Sequence, residues 1–302
     1  MPDPIALNLD PARMARVEAY AAMKRKTVAE LVDSYLRSIA DDIVEAALPR
    51  GATGDYLVML RHRGRDSTAG FLLHGGWDEF ERPMPGYFYR WAKANPGLIV
   101  DGGANTGFYA LLAARASAEN RVLAFEPDPL VRGLLLSNIE ANGLGNQIEV
   151  RATALSDRSG TAALYVPSQE HGLIETSASL EGRFKGRHAQ VIEVETTTVD
   201  AVGGAVRILK LDVAGHEATA LEGAERTVSE HRPLIFLEVL DRADFGALSL
   251  FIARHGYVDV PMRAQGVPSA QASVTFELDA WNHALVPAEA LPRFLALARA
   301  EE

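Results

Sequence analysis

The chain has 302 residues, of which 48% are hydrophobic and 23% are charged, and it contains no cysteine. This composition is typical of a soluble globular protein with a sizeable core, and it excludes disulfides, thiolate metal sites and cysteine nucleophiles. The formal net charge of -10 argues against a broad nucleic-acid surface, because phosphate binding needs a basic face. No apolar run reaches transmembrane length and the N-terminus lacks a signal-peptide core, so we expect a cytoplasmic protein.

Residues 1–48 are predicted to form a unit of their own, made of one strand and two helices. Apolar residues alternate with small or polar ones over 5–9, which is typical of a half-buried strand. A first helix is predicted to begin with Pro11 in its first turn, where the missing N–H of proline costs nothing. A capping box at 27–30 predicts the second helix, whose apolar residues continue at helical spacing as far as Ile43.

This strand-helix-helix order resembles the ribbon-helix-helix module, which forms an intertwined dimer through its strand. In DNA-binding members of that family the outward strand residues read bases, and here those residues are Ala6 and Asn8, with no basic residue between them. We therefore favour a homodimerisation element over a DNA reader. A helical hairpin that packs on the main domain without a special role is the alternative. Neither nucleic acid nor a membrane is expected as a partner.

Residues 49–96 are interpreted as a linker followed by an N-terminal extension of the main domain. The composition of 49–54 is that of a turn. Two strands are predicted at 56–60 and 70–73, and a helix is predicted at 87–91. The clustered aromatic residues of this region could wall a pocket, although aromatic residues at such spacing are more often part of a core.

The stretch from Leu98 to Gly107 predicts a buried strand, a tight turn and the beginning of a helix. Three apolar residues precede Asp101, small residues follow it, and an apolar helical pattern begins at Phe108. In α/β proteins this is the place where a nucleotide-like ligand binds. The spacing Asp-x-Gly-x-x-x-Gly differs from the dinucleotide pattern Gly-x-Gly-x-x-Gly, because Ala104 stands where the second glycine would fall.

The carboxylate of Asp101 indicates which ligand fits this turn. A pyrophosphate needs backbone N–H donors and the positive end of a helix, and an anion beside it is unfavourable. An ammonium group would instead pair with Asp101, and S-adenosylmethionine carries an ammonium, a sulfonium and a ribose diol. We therefore expect S-adenosylmethionine. A nicotinamide cofactor is the disfavoured alternative, and a strand-turn-helix without any ligand is the third interpretation.

The next two strands of the alternating region extend the predicted ligand site. The second strand ends at Glu126 and Pro127, beside the first turn of a doubly wound sheet, where a carboxylate can accept both ribose hydroxyls. The third strand, predicted over 147–155, ends in Leu155 and Ser156. Small, apolar and hydroxyl groups at this point could sandwich and hydrogen-bond an adenine.

Two later segments carry further polar residues. Residues 168–189 are polar and without a clear period, and because long irregular segments in compact domains are usually functional or disordered, we interpret them as a lid. The end of the fourth core strand and its turn contain four ionisable residues within eight positions: Lys210, Asp212, His216 and Glu217. Charged groups at the carboxyl end of a buried strand are unfavourable unless they take part in binding or catalysis or form ion pairs.

Three separated motifs together resemble one known family. In the order of that family, the first two are Val100–Gly107 and Phe125–Pro127, and Asn138 and Asn142 come next. The third is Lys210–Glu217, followed by Leu221–Ala224. Over roughly residues 75–290 the chain thus resembles the FkbM family of S-adenosylmethionine-dependent methyltransferases. The resemblance implies an α/β class I methyltransferase fold over 97–302, a Rossmann-like doubly wound sheet with a terminal antiparallel strand pair. It also implies S-adenosylmethionine as the cofactor and, most often, O-methylation of a hydroxyl on a sugar or other small metabolite. The chain departs from the family at Ala214, where an acidic residue is usual.

This interpretation assigns cofactor binding to residues at the ends of the first four core strands: Asp101, Gly103, Ala104, Asn105, Gly107, Phe108, Glu126, Pro127, Leu155, Ser156 and Asp212. A hydroxyl acceptor must lose a proton or have its developing charge held. Asp212 and His216 are the candidate bases, with Glu217 orienting the histidine, and Lys210 either lowers the pKa of the acceptor or pairs with Asp212. These acidic and histidine side chains could hold a divalent ion, but no second ligand set is evident, so no metal is expected. A cofactor-binding regulatory protein that dimerises through residues 1–48 is the alternative function.

Overall fold

The computed structural model describes residues 10–23, 27–40, 42–48, 56–62, 64–167, 176–182, 188–266 and 268–297. The helices of this part of the chain are α1 (Pro11–Met23), α2 (Val28–Ala40), α3 (Ser67–Gly75), α4 (Met84–Ala94), α5 (Phe108–Ala116), α6 (Pro129–Ala141), α7 (Glu217–Glu222), α8 (Glu225–His231), α9 (Phe245–His255) and α10 (Leu291–Ala296). The strands are β1 (Ile43–Ala47), β2 (Tyr56–Leu60), β3 (Leu98–Gly102), β4 (Arg121–Phe125), β5 (Ile148–Arg151), β6 (Ala154–Leu155), β7 (Gly160–Pro167), β8 (His188–Thr197), β9 (Val206–Leu211), β10 (Leu234–Glu238), β11 (Tyr257–Pro261) and β12 (Asn282–Pro287). None of these helices is long and apolar enough to cross a membrane.

Seven strands form the central sheet, in the order β11-β12-β10-β9-β3-β4-β5. The neighbours from β10 to β5 are parallel, whereas β12 runs antiparallel to both β10 and β11. The chain proceeds outward from β3 in one direction and then returns to β9 on the other side of β3. This is the Rossmann-like, doubly wound sheet of a class I methyltransferase, and the predicted terminal antiparallel pair is confirmed.

The central sheet is buried on both faces, because successive side chains of each strand enter two different cores. Ile99 and Ile208 belong to one apolar cluster, together with the aromatic residues of α4 and the apolar residues of α5. Val100 and Leu209, one position further along the same strands, belong to the second cluster with α7, α8 and α9. The continuous apolar runs of these strands follow from this two-sided burial, and charged side chains are left to the strand ends.

A second, three-stranded sheet in the order β6-β8-β7 lies beside the central one. The third core strand was predicted over 147–155, but β5 ends at Arg151 and β6 pairs with β8 instead of continuing in the central sheet. Strands β7 and β8 form a long antiparallel pair. The predicted lid at 168–189 follows β7, and its last two residues belong to β8, while its residues 168–175 and 183–187 lie outside the described residues.

The N-terminal region differs from its prediction after α2. Helix α2 ends at Ala40, and Ile43, which the helical pattern included, begins β1. Strand β1 pairs antiparallel with β2, so this hairpin crosses the boundary predicted at residue 48. Two asparagines, one in the last turn of α6 and one just after it, hold the hairpin on the main domain. Asn138 Oδ1 accepts the Leu60 N–H at 2.8 Å, and Asn142 Oδ1 accepts the Val58 N–H at 3.0 Å. The predicted strand at 5–9 lies outside the described residues, and the division into domains stays a prediction.

Two short strands predicted from apolar runs are wrong. Residues 70–73 belong to α3, because Asp66 Oδ1 caps that helix by accepting the Ala69 N–H at 3.0 Å. The apolar pattern of residues 274–278 also predicts a strand, but these residues form none, and the Val274 N–H donates to Ser249 Oγ of α9 at 3.0 Å. A short apolar run does not by itself distinguish a strand from a buried turn of helix, which explains the error at 70–73.

Candidate active site

A cavity of about 350 Å³ lies at the carboxyl ends of β3, β4, β9 and β10. Residues just after, or at the end of, each of these strands line it: Gly103, Glu126, Asp212 and Glu238. Open α/β sheets bind ligands at this edge, where the strand order reverses, and here the reversal falls between β3 and β9. The volume lies within the range of about 300–1,000 Å³ that is usual for small-molecule sites.

The turn after β3 contacts the turn after β9 because residue 103 is glycine. Gly103 has φ +71°, and a Cβ atom built on it would lie 1.9 Å from the Asp212 carbonyl oxygen. A hydrogen bond joins the same two turns, because the carbonyl of Gly102 accepts the Asp212 N–H at 3.0 Å. The missing side chain thus lets the two turns share one cavity.

Glu126 is buried at the β4 end of the cavity and keeps unused acceptor capacity. Its Oε2 accepts the Asn105 N–H and its Oε1 the Asp128 N–H, both at 2.9 Å. Burial raises the pKa of this carboxyl to about 7. The two N–H donors lower the pKa, but their effect is smaller than that of burial. A carboxylate has about four lone-pair sites, so each oxygen can accept one further hydrogen bond. Glu126 therefore suits a vicinal pair of hydroxyl groups.

Lys210 is a buried cation between two carboxylates. Its Nζ lies 3.6 Å from Asp101 Oδ1 and 3.6 Å from Asp212 Oδ2, and the side chain is 3% exposed. Burial alone would lower the pKa of Lys210, but Asp212, Asp101 and other nearby carboxyls raise it above its ordinary value. Of the two predicted roles of Lys210, pairing with Asp212 is the one that the structure contains.

Asp101 lies behind the cavity wall. Its side chain is 1% exposed, and its strand neighbour in the β3–β9 register is Lys210. Burial raises the pKa of the Asp101 carboxyl, and Lys210 opposes that rise. Because Lys210 already occupies this position, the predicted contact between Asp101 and an ammonium group stays a prediction.

Two further carboxyl groups, which the sequence did not single out, belong to the same cluster. Glu81 accepts the hydroxyl of Tyr109 at 2.8 Å, and the Tyr109 ring centroid lies 4.9 Å from Lys210 Nζ. Burial and the charge of Asp212 raise the pKa of Glu81 to about 7. Glu238 lines the cavity, and burial with the same neighbouring charge raises its pKa to about 9. Glu238 ends an apolar strand, as Glu126 follows one, so a signal for it exists in the sequence, whereas Glu81 lies in an irregular stretch without a motif.

His216 bridges two segments of the wall and does not line the cavity. Its Nε2 lies 3.0 Å from Ser156 Oγ, and its Nδ1 lies 2.8 Å from Glu181 Oε1. The histidine is the residue before α7, so this bridge joins the turn after β9 to the end of β6 and to the segment 176–182. Both ring nitrogens are thus engaged away from the cavity.

Glu217 supports the turn that follows Asp212. Its Oε1 accepts the N–H groups of Val213 at 2.9 Å and Gly215 at 3.2 Å, and burial raises its pKa to about 7. The prediction that Glu217 orients His216 is therefore wrong. The histidine contacts Glu181 instead, because the carboxyl of Glu217 turns back onto its own backbone.

The described part of the predicted lid, 176–182, forms one wall of the cavity. On one side Asn105 Nδ2 donates to Thr176 Oγ1 at 2.8 Å. On the other side Ser179 Oγ donates to the Ala214 carbonyl at 2.7 Å. The segment thus spans from the turn after β3 to the turn after β9.

Of the residues predicted to bind the cofactor, some line the cavity and others do not. The residues that line the cavity are Gly103, Asn105, Glu126, Pro127, Leu155 and Asp212. Those that do not are Asp101, Ala104, Gly107, Phe108 and Ser156, and of these Ala104 and Phe108 pack in the core. The lining also includes residues that the sequence did not indicate: Leu164, Leu180, Leu240 and Trp281. No cluster of three or more metal-ligating side chains occurs among the residues described above.

Most of the segment that forms this cavity matches the model of a known protein family. Residues 101–258, more than half of the chain, match the family model of the methyltransferase FkbM domain. The chain belongs to the FkbM methyltransferase family. The FkbM-domain match begins at Asp101 and includes Glu126, Asp212 and Glu238, but it ends before Trp281.

Individual relatives of this FkbM-family chain are also methyltransferases by name. Methyltransferase sdnD of Sordaria araneosa is 30% identical over 172 residues, which are 47% of this chain and 64% of the relative. Methyltransferase 1 of Beauveria bassiana is 24% identical over 193 residues, which are 57% of this chain and 76% of the relative. The crystal structure of methyltransferase FkbM from Methylobacillus flagellatus is 17% identical with a TM-score of 0.46, over 72% of this chain and 52% of that one. The chain thus spans less than two thirds of the length of sdnD and of the Methylobacillus protein.

Proposed function

We propose that this FkbM-family chain is an S-adenosylmethionine-dependent methyltransferase that methylates a hydroxyl group of a small metabolite or sugar. The observation that carries the proposal is the cavity shared by Glu126 at the end of β4 and Asp212 at the end of β9. One carboxyl group suits the ribose diol of the cofactor, and the other suits the reacting hydroxyl of the acceptor.

The cavity residues fit S-adenosylmethionine. Glu126 retains one acceptor site on each oxygen for the ribose hydroxyls. Phe125 and Leu155 supply apolar walls beside it for the adenine, and Asp212 supplies negative charge toward a cationic ligand. When bound, the cofactor supplies a methyl group on a sulfonium centre, which is a carbon already activated for in-line displacement.

The contribution of the chain is alignment, exclusion of water and removal of a proton. The wall at 176–182 closes one side of the cavity, and alignment in such a site supplies a large part of the rate enhancement. Lys210 holds the Asp212 carboxylate from behind. Asp212 would take the O–H proton of the acceptor, since both ring nitrogens of His216 are engaged elsewhere.

Glu126→Ala is expected to weaken S-adenosylmethionine binding by about tenfold to a hundredfold. The variant removes the ribose contact, and a hydrogen bond to a charged group is worth about 1.5–3 kcal/mol, which corresponds to this range. Titration calorimetry of wild type and variant with S-adenosylmethionine, S-adenosylhomocysteine and NAD tests this. A protein that prefers NAD, or a variant with unchanged affinity and intact fold, contradicts the proposal.

The N-terminal helices carry a second proposal, that the chain forms a homodimer through residues 1–48. Its support is an apolar stripe on α2, where Tyr35, Leu36 and Ile39 are each about half exposed. Light scattering is expected to show a dimer for the full chain and a monomer for a variant that begins at residue 41, and both should bind the cofactor equally. A full-length monomer contradicts the dimer, and tight binding of duplex DNA contradicts the expectation that the chain does not bind nucleic acid.

A further inference from the structure

The end of the cavity at β10 is remote from the residue proposed to hold the ribose. Glu126 follows β4 and Glu238 ends β10, and the strand order β10-β9-β3-β4 places three strand spacings between them. Neighbouring strands lie about 4.8 Å apart, so the two residues are separated by roughly 14 Å. With the nucleoside at Glu126, the end of the cavity at β10 is left for the acceptor.

Glu238 and Asp212 are neighbours at the ends of two adjacent parallel strands. Leu211 of β9 pairs in register with Leu237 of β10, and both leucines pack in the same apolar cluster. Asp212 and Glu238 each follow by one position, so their side chains leave the sheet on the other face, side by side. Both residues line the cavity. One acceptor molecule can therefore contact both carboxyl groups at the same time.

The two carboxyl groups differ in their access to positive charge. Lys210 Nζ lies 3.6 Å from Asp212 Oδ2 and 3.6 Å from Asp101 Oδ1. Within the described part of the chain, the carboxyl of Glu238 has no ion pair and no hydrogen-bond partner, and its register neighbour on β12 is the uncharged Asn282. One lysine cannot compensate three neighbouring carboxylates, and like charges in one buried site do not all ionise. Glu238 is the carboxyl without a cation, so it is the one that keeps its proton.

The pKa of Glu238 agrees with this geometry. Burial and the charges of Asp212, Glu217 and Glu81 raise the pKa of Glu238 to about 9, and Lys210 opposes the rise. At neutral pH the group is therefore an uncharged carboxylic acid. Such a group has an O–H to donate, which a carboxylate lacks.

We propose that Glu238 determines acceptor specificity by donating a hydrogen bond from its protonated carboxyl to an oxygen atom beside the reacting hydroxyl. Asp212 faces the reacting hydroxyl itself. The acceptor is thus a hydroxyl compound with a second oxygen on the neighbouring carbon, such as a vicinal diol or a hydroxy ether. Leu240 and Trp281, which also line the cavity, contact its carbon frame. This inference rests on the proposed function and names the class of acceptor.

The test uses three probes that share one ring and do not titrate: trans-cyclohexane-1,2-diol, trans-2-methoxycyclohexanol and cyclohexanol. The second oxygen of the diol can donate and accept a hydrogen bond, that of the methoxy compound can only accept one, and cyclohexanol has no second oxygen. A protonated Glu238 can serve both of the first two probes, whereas a carboxylate can serve only the diol. The methoxy compound therefore reports the donated hydrogen bond.

At neutral pH, with the full chain and labelled S-adenosylmethionine, we expect the diol and the methoxy compound to be methylated at least about tenfold faster than cyclohexanol. A desolvated donor left without a partner by cyclohexanol accounts for a difference of this order. Binding of the three probes in the presence of S-adenosylhomocysteine, measured by ligand-observed NMR, should follow the same order.

Raising the pH through about 9 is expected to remove the preference for the methoxy compound over cyclohexanol and to preserve that for the diol. Above its pKa Glu238 loses the proton that it donates, but its carboxylate can still accept the hydroxyl of the diol. Lys210, whose pKa is raised above its ordinary value, keeps its charge over this range and continues to hold Asp212.

Two variants at position 238 separate the donated hydrogen bond from the shape of the side chain. Glu238→Gln has an amide N–H that donates at every pH, so its preference for the methoxy compound should persist above the pKa of the wild-type carboxyl. Glu238→Met has a similar length and no polar hydrogen, so it should lose this preference at every pH. Glu119→Gln, at an exposed position before β4 and thus at the opposite edge of the sheet, should behave as wild type.

The outcomes separate this inference from the proposed function. Equal binding of the methoxy compound and cyclohexanol by the wild type at neutral pH overturns the inference, and so does a preference that Glu238→Met retains or that the wild type keeps above the pKa. The absence of both binding and methylation of all three probes also overturns it. Selective binding without methyl transfer supports the role of Glu238 and contradicts the activity. Methyl transfer at equal rates supports the activity and overturns the role of Glu238.

Discussion

Asp212→Asn is expected to lower kcat by about 10²–10⁴-fold, the range that a placed proton acceptor contributes. Asp212 lines the cavity, and a paired lysine holds its carboxylate at 3.6 Å. An amide has nearly the same shape but cannot take the proton of a hydroxyl. Cofactor affinity should change far less than kcat, because the ribose end of the cavity at Glu126 is untouched.

The measurement is the rate of transfer from labelled S-adenosylmethionine to trans-cyclohexane-1,2-diol, together with calorimetric affinity for the cofactor. Asp241→Asn, which alters an exposed carboxylate after β10, is the matched control and should retain the wild-type rate. His216→Ala is the decisive comparison. If it abolishes turnover while Asp212→Asn remains active, the histidine is the base and the assignment to Asp212 is wrong.

Gly103→Ala is expected to lower the free energy of unfolding by about 2–5 kcal/mol. The new Cβ would lie 1.9 Å from the Asp212 carbonyl oxygen, and a backbone atom there cannot move away as a flexible side chain can. The left-handed φ of +71° adds about 1–2 kcal/mol, and overpacking adds about 1–3 kcal/mol. Because the turns after β3 and β9 must separate, cofactor binding should be lost along with stability.

Gly143→Ala separates the two contributions. Gly143 has nearly the same φ, +66°, but a Cβ there would have no atom within 4 Å. Its expected loss is therefore about 1–2 kcal/mol, which is the conformational part alone. Urea denaturation of wild type and both variants gives the comparison. Equal losses in the two variants would mean that the contact with the Asp212 carbonyl is not what requires glycine at position 103.

The sequence predicted those residues of the candidate site that lie at the ends of strands. Asp101, Glu126 and Asp212 each terminate an apolar run, and parallel strands bring their carboxyl ends to one edge of a sheet. The sequence could not show that Asp101 is covered by Lys210. That follows from the register between β3 and β9, which depends on how the two strands pair in space.

Contacts between distant parts of the chain account for the errors in the prediction of the site residues. His216 was given the wrong partner because Glu217 is its neighbour in sequence, whereas Glu181 is 35 positions away and reaches it across the wall. Glu81 was not identified because it reaches the cluster from outside the alternating strands, through the hydroxyl of Tyr109. Side-chain hydrogen bonds of this kind leave no periodic signal in a sequence.

The sequence by itself therefore determined how strands and helices alternate along the chain in the central region. It also indicated the turn at Gly103 and the acidic residues that follow β4 and β9. Hydrophobic period and turn chemistry are local properties, so a sequence pattern can show them. Only the tertiary structure decided that 70–73 is helical, that β1 joins β2 and that Glu238 and Trp281 meet at one end of the cavity. Each of these depends on packing between segments that are far apart in the chain, and such contacts can override weak local preferences.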